Sequence, residues 1–430
     1  MRGEPRVLLS AYQCAPGMGS VSQIGWEWYS RMTRRTEVTL VTHIRNRAAL
    51  ARAGAPLAGS RVIFIDTEWF AGPLYRTASR LFPKSEHAVF LLSSLDYFVY
   101  DREALKILRR QDRNCEWDVI HAPTPVSPMA ATRLHLLGRP LVVGPWNGGL
   151  GSPRGFEKEM RADSGWIYRM REAGRLIDRV AGCTERSQII LSATKATDER
   201  VPRAHRTRIQ RMIENGVDLE VFQPPSSPPA AASETEPLQV LFVGRLIPVK
   251  GVSLLLRAVA RVRREFDARL TIVGDGPCRG DVEDEIARLE LGSAVTLTGN
   301  LPLPEVAGRM RAAHLFCLPS IRESGGAVLL EAMACGVPAV GVNYGGPAEI
   351  LSDEVGRLLP AEGQEALIQG LTDVMRDAFR DPRAWRRRGQ AGRALVEERF
   401  GWDAKIDRAL ALYREVSSRF FPGRQTGSTA

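Results

Sequence analysis

At 430 residues the chain is longer than one hydrophobic core usually supports, so two domains are expected; its 44% hydrophobic and 25% charged content excludes wholesale disorder. The formal charge is +10, yet lysine occurs only at positions 84, 106, 158, 195, 250 and 405, and the arginines that supply the rest are scattered, which reads as codon usage rather than a polyanion groove and argues against a nucleic-acid partner. Six cysteines, Cys14, Cys115, Cys183, Cys278, Cys317 and Cys335, form no C-x-x-C pair and read as buried free thiols of a reducing compartment.

The amino-terminal apolar run, Val7-Leu8-Leu9, is too short for a signal-peptide core, and no stretch reaches the roughly 18 apolar residues of a spanning helix. A cytoplasmic location is expected, with any membrane met from its inner face. Short apolar runs follow at 38–42, 62–65, 119–121, 141–143 and 189–191, separated by helical patterns, and predict a first doubly wound domain over 1–223. Residues 68–110 mix Trp69, Phe70, Tyr75, Phe82, Phe90, Tyr97, Phe98 and Tyr100 with arginines, the composition of an acceptor-facing or membrane-touching insertion or of helices packed on the sheet. Residues 165–181 carry Arg169, Arg171, Arg175 and Arg179, read as a basic or simply solvated helix face.

Residues 224–237, rich in proline and small residues, read as a linker. From Leu238 strands at 239–243, 270–273, 295–298, 315–318 and 339–342 alternate with helices at 252–266, 281–290, 304–312 and 327–335. Runs without polar alternation fit a parallel sheet covered on both faces, and predict a second doubly wound domain over 238–400. A last helix, within 401–422, is expected to return to the first domain.

The densest chemistry lies in Arg322-Glu-Ser-Gly-Gly-Ala-Val-Leu-Leu-Glu331. A strand enters a glycine turn that becomes a helix, so the amides of Gly325, Gly326 and Ala327 lack intrahelical acceptors and, with the helix dipole, make an anion site suited to a diphosphate. Glu323 precedes the helix and Glu331 lies one turn inside it, where a carboxylate can accept from ribose hydroxyls or merely complement the dipole. Arg245 and Lys250 follow the first strand of the same domain at the carboxyl edge, where open α/β sheets bind ligands, and could neutralise a departing diphosphate. No His/Cys cluster has metal-ligand spacing.

With Val243-Gly-Arg245, Lys250-Gly251, Ile272-Val-Gly-Asp-Gly-Pro277, the E-x7-E pair Glu323 and Glu331, and Gly345-Gly-Pro-Ala-Glu349, the chain resembles retaining glycosyltransferase family 4, the glycosyl-transferase group 1 domain with the GT-B fold. The resemblance implies two Rossmann-like domains facing across a cleft and a retaining, metal-independent hexosyl transfer with no cofactor. The donor would be a nucleotide-diphosphate sugar, UDP- or GDP-linked, and the acceptor a carbohydrate or lipid-linked hydroxyl in polysaccharide or glycolipid synthesis, with peripheral membrane contact. It assigns Arg245 and Lys250 to the diphosphate and Glu331 to the ribose. Ser324, Gly325, Gly326 and Ala327 would meet phosphates and sugar hydroxyls, Glu323 the transferring sugar, and His121 that sugar from the first domain. Gly17, Gly19 and Ser20, in the first strand-to-helix loop, would meet phosphates or acceptor, glycine allowing close approach.

The amino-terminal half resembles one branch of that family through Cys14-Ala-Pro-Gly-Met-Gly-Ser20 and Gly25-Trp26, but carries Val21 where the branch has an acid and Gly144-Pro-Trp-Asn-Gly-Gly149 for its glycine-rich loop, which leaves the acceptor open. Two other readings remain: a non-catalytic nucleotide-sugar-binding partner of another transferase, and a nucleotide-sugar epimerase. Neither first strand-to-helix turn spells G-x-G-x-x-G, against a dinucleotide oxidoreductase.

Overall fold

The computed structural model describes residues 4–81, 95–111, 117–151, 153, 155–156 and 177–422. Phe82, Phe90, Cys115, Arg169, Arg171, Arg175 and the tail beyond Pro422, all singled out above, lie outside that set. The chain divides into two compact units, the first from 1–149, 166–214 and 405–430, the second from 150–165 and 215–404.

The first unit is built on seven parallel strands: β1 (Val7–Ala11), β2 (Val38–His43), β3 (Ser60–Ile65), β4 (Val119–Thr124), β5 (Leu141–Trp146), β6 (Ile189–Ser192) and β7 (Ile209–Arg211), in the order β3-β2-β1-β4-β5-β6-β7. Every residue of β1, β4 and β5 is buried, as strands covered by helices on both faces must be. Leu9 pairs with Leu40 on one side and with His121 on the other. Helix Ser20–Met32 buries Ile24, Trp28, Tyr29 and Met32 and packs on β4. Helix Trp402–Phe420 buries Ile406, Ala409, Leu410, Tyr413 and Val416, the i, i+3, i+4, i+7 spacing of a helix with one core face.

The second unit has six parallel strands: β8 (Leu238–Val243), β9 (Ala268–Val273), β10 (Val295–Gly299), β11 (Leu315–Leu318), β12 (Ala339–Val342) and β13 (Gly356–Leu359), ordered β10-β9-β8-β11-β12-β13. Helix Val252–Val262 buries Val252, Leu255, Leu256, Val259 and Val262, and helices Ala327–Ala334, Gln364–Arg380 and Pro382–Arg399 complete the layers. The proline-rich stretch 224–237 groups with this unit. Its carbonyls are met by side chains: Ala230 accepts from His314 Nε2 at 2.6 Å and Pro229 from an Arg386 Nη at 2.9 Å. Proline has no N–H to join a strand ladder, so such external donors hold the stretch in place.

Both sheets are the doubly wound kind expected from the sequence. In each, chain order reverses beside the first strand, between β1 and β4 and between β8 and β11, and the loops leaving such a pair at the carboxyl edge splay apart to leave a crevice. Among the described residues, Cys14, Cys183, Cys278, Cys317 and Cys335 are free thiols, and no helix is long and apolar enough to cross a membrane.

Candidate functional site

In the second unit the loops leaving β8 and β11 meet at the strand-order reversal. The first runs through Gly244 and Arg245 into a short 3-10 turn, Pro248–Lys250. The second runs from Pro319 to Glu323, and the Ile321 N–H donates to Val249 O at 2.8 Å, so the two loops are tied before either reaches its charged residue. Gly251 lets them approach: it sits at φ +67°, and a Cβ there would stand 2.4 Å from Pro319 O, a distance no side chain tolerates.

That junction brings Lys250 onto Glu323. Lys250 Nζ lies 2.5 Å from Glu323 Oε2, the two side chains being 20% and 13% exposed. The other carboxylate oxygen, Oε1, accepts from the Gly326 N–H at 3.3 Å, where Gly326 caps helix Ala327–Ala334 in the left-handed region at φ +61°. Glu323 therefore bridges a cation and a helix start, two groups that each favour an anion. Its backbone is fixed as well: Gly346 N donates to Glu323 O at 2.9 Å, and a Cβ on Gly345 would stand 2.2 Å from that same oxygen. The Gly345-Gly346 motif is thus required by the close approach of the Glu323 loop.

Around this centre Ser324 and Arg245 are exposed, Ala327 is half-buried and Gly325 is buried. Glu331 lies four residues into the helix, half-buried, and burial alone pushes its carboxyl up to about 7. A carboxylate held this way gains from any ligand that hydrogen-bonds its charged form. Of the residues predicted in this half of the chain, Lys250, Glu323 and Gly326 are joined by direct contacts, and Arg245, Ser324, Gly325, Ala327 and Glu331 belong to the same edge of one sheet.

In the first unit, Gly17 and Gly19 follow β1 at φ +73° and +95° with open space where a Cβ would stand, and Ser20 opens helix Ser20–Met32; all three are exposed at the carboxyl edge. His121 is not among them. It has no exposed surface, and both ring nitrogens are engaged: Nε2 with Gly144 O and Nδ1 with the Tyr413 hydroxyl, each at 2.6 Å. A carbonyl only accepts, so the proton sits on Nε2 and Tyr413 donates to Nδ1. The Trp28 ring meets it edge-on at 4.7 Å, and burial drops its pKa to about 4. Expected at a donor sugar, His121 is enclosed instead, because it is the third residue of a central strand with helices over it.

Sequence reasoning missed a second polar cluster at the ends of β1, β2 and β3. The buried Asp96 carboxylate accepts from Tyr12 Oη at 2.7 Å and from Thr67 Oγ1 at 2.6 Å. Thr67 in turn takes the proton of His43 Nε2 at 2.8 Å, while Arg45 pairs with Glu68 at the rim. Burial, helped by Arg45, lowers the His43 pKa. Also unforeseen is Lys405, which is buried, donates to the carbonyls of Ile213 and Glu214 at 2.8 and 3.0 Å, and is pulled down to about 7 by desolvation. These groups come from distant parts of the chain, and only Tyr12, two residues before Cys14, touches a motif that could have flagged it.

Comparison with known proteins agrees with the second unit's geometry. The family model described as glycosyl transferases group 1 matches residues 225–392. A D-inositol 3-phosphate glycosyltransferase of Kribbella flavida is 34% identical over 222 residues, 48% of this chain and 51% of the relative. An MMP α-(1→4)-mannosyltransferase of Mycolicibacterium hassiacum is 32% identical over 207 residues, 47% and 48% of the two chains. The chain thus spans about half the length of the curated relatives it matches. Among solved structures, Anabaena Alr3699/HepE in complex with UDP superposes with a TM-score of 0.63 at 17% identity, covering 95% of this chain and 100% of that one. At that identity the likeness establishes the fold, two Rossmann-like sheets of the GT-B kind. Over residues 225–392 the chain is similar to the glycosyl transferases group 1 family.

Proposed function

We propose that the chain transfers a glycosyl group from a nucleotide-diphosphate sugar to an acceptor hydroxyl, with retention at the anomeric carbon. The observation that carries this reading is the junction of Lys250, Glu323 and the start of helix Ala327–Ala334 at the strand-order reversal. A diphosphate bound there meets the Lys250 ammonium, the Arg245 guanidinium and the amides of Gly325 and Ala327. Charge that grows on it as the glycosidic bond breaks is stabilised by groups already in place. These protein cations take the part a divalent metal would otherwise play, so transfer is proposed to need no metal ion.

Glu331 is proposed to accept from ribose hydroxyls, and Glu323 and Ser324 to hydrogen-bond hydroxyls of the sugar. Anabaena Alr3699/HepE has been solved with UDP and with UDP and glucose, which favours a uridine nucleotide. Gly17, Gly19 and Ser20 are proposed to meet the acceptor or the phosphates. The acceptor is proposed to be a carbohydrate or lipid-linked precursor of a polysaccharide or glycolipid, used at the cytoplasmic face of a membrane.

The test is the thermal midpoint of the protein with UDP, GDP, ADP or dTDP. A ligand at one hundred times its dissociation constant adds about 2.7 kcal/mol of stability. One nucleotide is expected to raise the midpoint of the wild type and not that of Arg245→Ala/Lys250→Ala. No shift with any of the four would remove the donor site.

A further inference from the structure

We propose that a groove on the helical face of the second unit is a further anion site, suited to a small molecule bearing phosphoryl groups and separate from the donor site. Arginines that lie scattered in the sequence are gathered there by the fold. Arg257, Arg261 and Arg264 follow one another at i, i+4 and i+7 along and just past helix Val252–Val262, and Arg288 closes helix Arg279–Arg288 beside them. The groove that they line with the first turn of helix Gln364–Arg380 measures about 560 Å³, within the range of small-molecule sites. At about 1.5 Å per residue the arginine stripe runs from roughly 8 to roughly 18 Å beyond the helix start at Val252, away from the Lys250 loop and the carboxyl edge of the sheet.

The charges in the groove are unequal: four arginines meet two glutamates, Glu285 and Glu365. Glu285 is shared, accepting from Arg257 Nε at 2.9 Å and from Arg288 Nε and Nη2 at 2.9 and 2.6 Å. Glu365, which is exposed, takes Arg261 at 2.8 Å, and Arg264 has no ion pair among the described residues. Like charges held this close leave a standing positive potential that a bound anion relieves. Ala260, Leu289 and Ile368 lie between the guanidiniums, where apolar surface supports arginine stems and keeps water from the charged ends. Each planar guanidinium matches two phosphoryl oxygens at once. The first turn of helix Gln364–Arg380, whose glycine cap makes no side-chain bond to its amides, adds the positive end of a helix dipole. A lone carboxylate would satisfy one such fork, whereas several forks in one groove select a multiply charged phosphoryl ligand. The groove shares no residue with the donor site, so the two readings can fail separately.

The experiment is calorimetric titration of the full chain with inorganic pyrophosphate and with fructose 1,6-bisphosphate, in the Arg245→Ala/Lys250→Ala background that silences the proposed donor site. One equivalent of each is expected to bind, more weakly at high salt. Adding Arg261→Gln/Arg264→Gln is expected to weaken binding on the order of tenfold, because charge-assisted hydrogen bonds are lost. Adding Arg383→Gln/Arg387→Gln removes the same charge from exposed positions of helix Pro382–Arg399 and is expected to leave affinity within about twofold. Absence of binding in the silenced background overturns the proposal. Equal weakening by the two arginine pairs also overturns it, since the effect would then be one of net charge. In the wild type a second equivalent of pyrophosphate belongs to the donor site, and its absence bears on that reading alone.

Discussion

Glu323 stands on two donors, Lys250 Nζ and the Gly326 amide, that an incoming diphosphate would need. A carboxylate there competes with phosphate oxygens for the same positive potential, and once displaced it is a like charge beside them. Glu323→Gln is therefore expected to bind inorganic pyrophosphate several times more tightly in calorimetric titration while losing transfer activity by a factor on the order of one hundred, since a hydrogen bond strengthened in the transition state is gone. Weaker pyrophosphate binding in the variant would mean that the carboxylate orients Lys250 and does not compete with the ligand. Glu331 supplies a pH signature. Burial raises its carboxyl to about 7, so near neutrality part of the population is protonated, and ribose hydroxyls that donate to the ionised form must first expel that proton. Affinity for nucleotide is expected to rise between about pH 6 and pH 8, by at most tenfold per unit. Glu331→Gln should flatten the part of the rise that the nucleotide's own phosphate does not contribute; an unchanged profile would take Glu331 away from the ribose.

Helix Trp402–Phe420 is held to the first unit by an apolar face and by buried polar contacts from Tyr413 to His121 and from Lys405 to the Ile213 and Glu214 carbonyls. Tyr413→Phe keeps the ring and leaves a buried imidazole nitrogen without its donor, which costs about 1–3 kcal/mol. The pH dependence has a definite sign. The folded chain holds His121 neutral with a pKa near 4, whereas the unfolded chain protonates it near its ordinary value, so this contribution is complete above the unfolded pKa and is lost as pH falls toward 4, roughly 3 kcal/mol in all. Removing the Tyr413 donor weakens the preference for the neutral ring. Thermal melts should therefore show a larger deficit for the variant at neutral pH than in acid; a deficit independent of pH would leave only a packing loss. The same contact shows where sequence reading stops. Its partners lie 292 residues apart, and nothing near either one announces the other. Central strands were legible because burial on both faces leaves contiguous apolar runs, as in β8, expected from Gln239 and found from Leu238. The edge strands Ile209–Arg211 and Gly356–Leu359 were not, being short and sparing in apolar residues. The charged edge of the second unit was legible because Glu323 through Glu331 are nearly contiguous. That Glu323 itself takes the Lys250 and Gly326 donors depends on a crossing of loops 73 residues apart.

At the scale of the whole chain, two sheets with the same winding order each carry their own core and their own covering helices. Arg245, Lys250, Gly325, Ala327 and Glu331, proposed to hold the nucleotide, fall in 215–404, and the His121–Tyr413 contact in 1–149 and 405–430. A ligand stabilises the cooperative block that contains its site, and a substitution destabilises the block that contains its contact. If the two units unfold as separate blocks, calorimetry should resolve two transitions. Nucleotide would then raise only the one belonging to the second unit, and Tyr413→Phe would lower only the other. The two perturbations are matched for this purpose, because 2.7 kcal/mol gained at about one hundred times the dissociation constant is comparable with the loss expected from an unsatisfied buried nitrogen. Should one transition respond to both, the blocks are coupled, and helix Trp402–Phe420, which begins in the second unit and has its core face in the first, is the element through which the coupling would pass. Loosening the first turn of the helix, by Ala404→Gly with Lys405 and its first-unit contacts kept, should then separate the transitions without altering the nucleotide-induced shift.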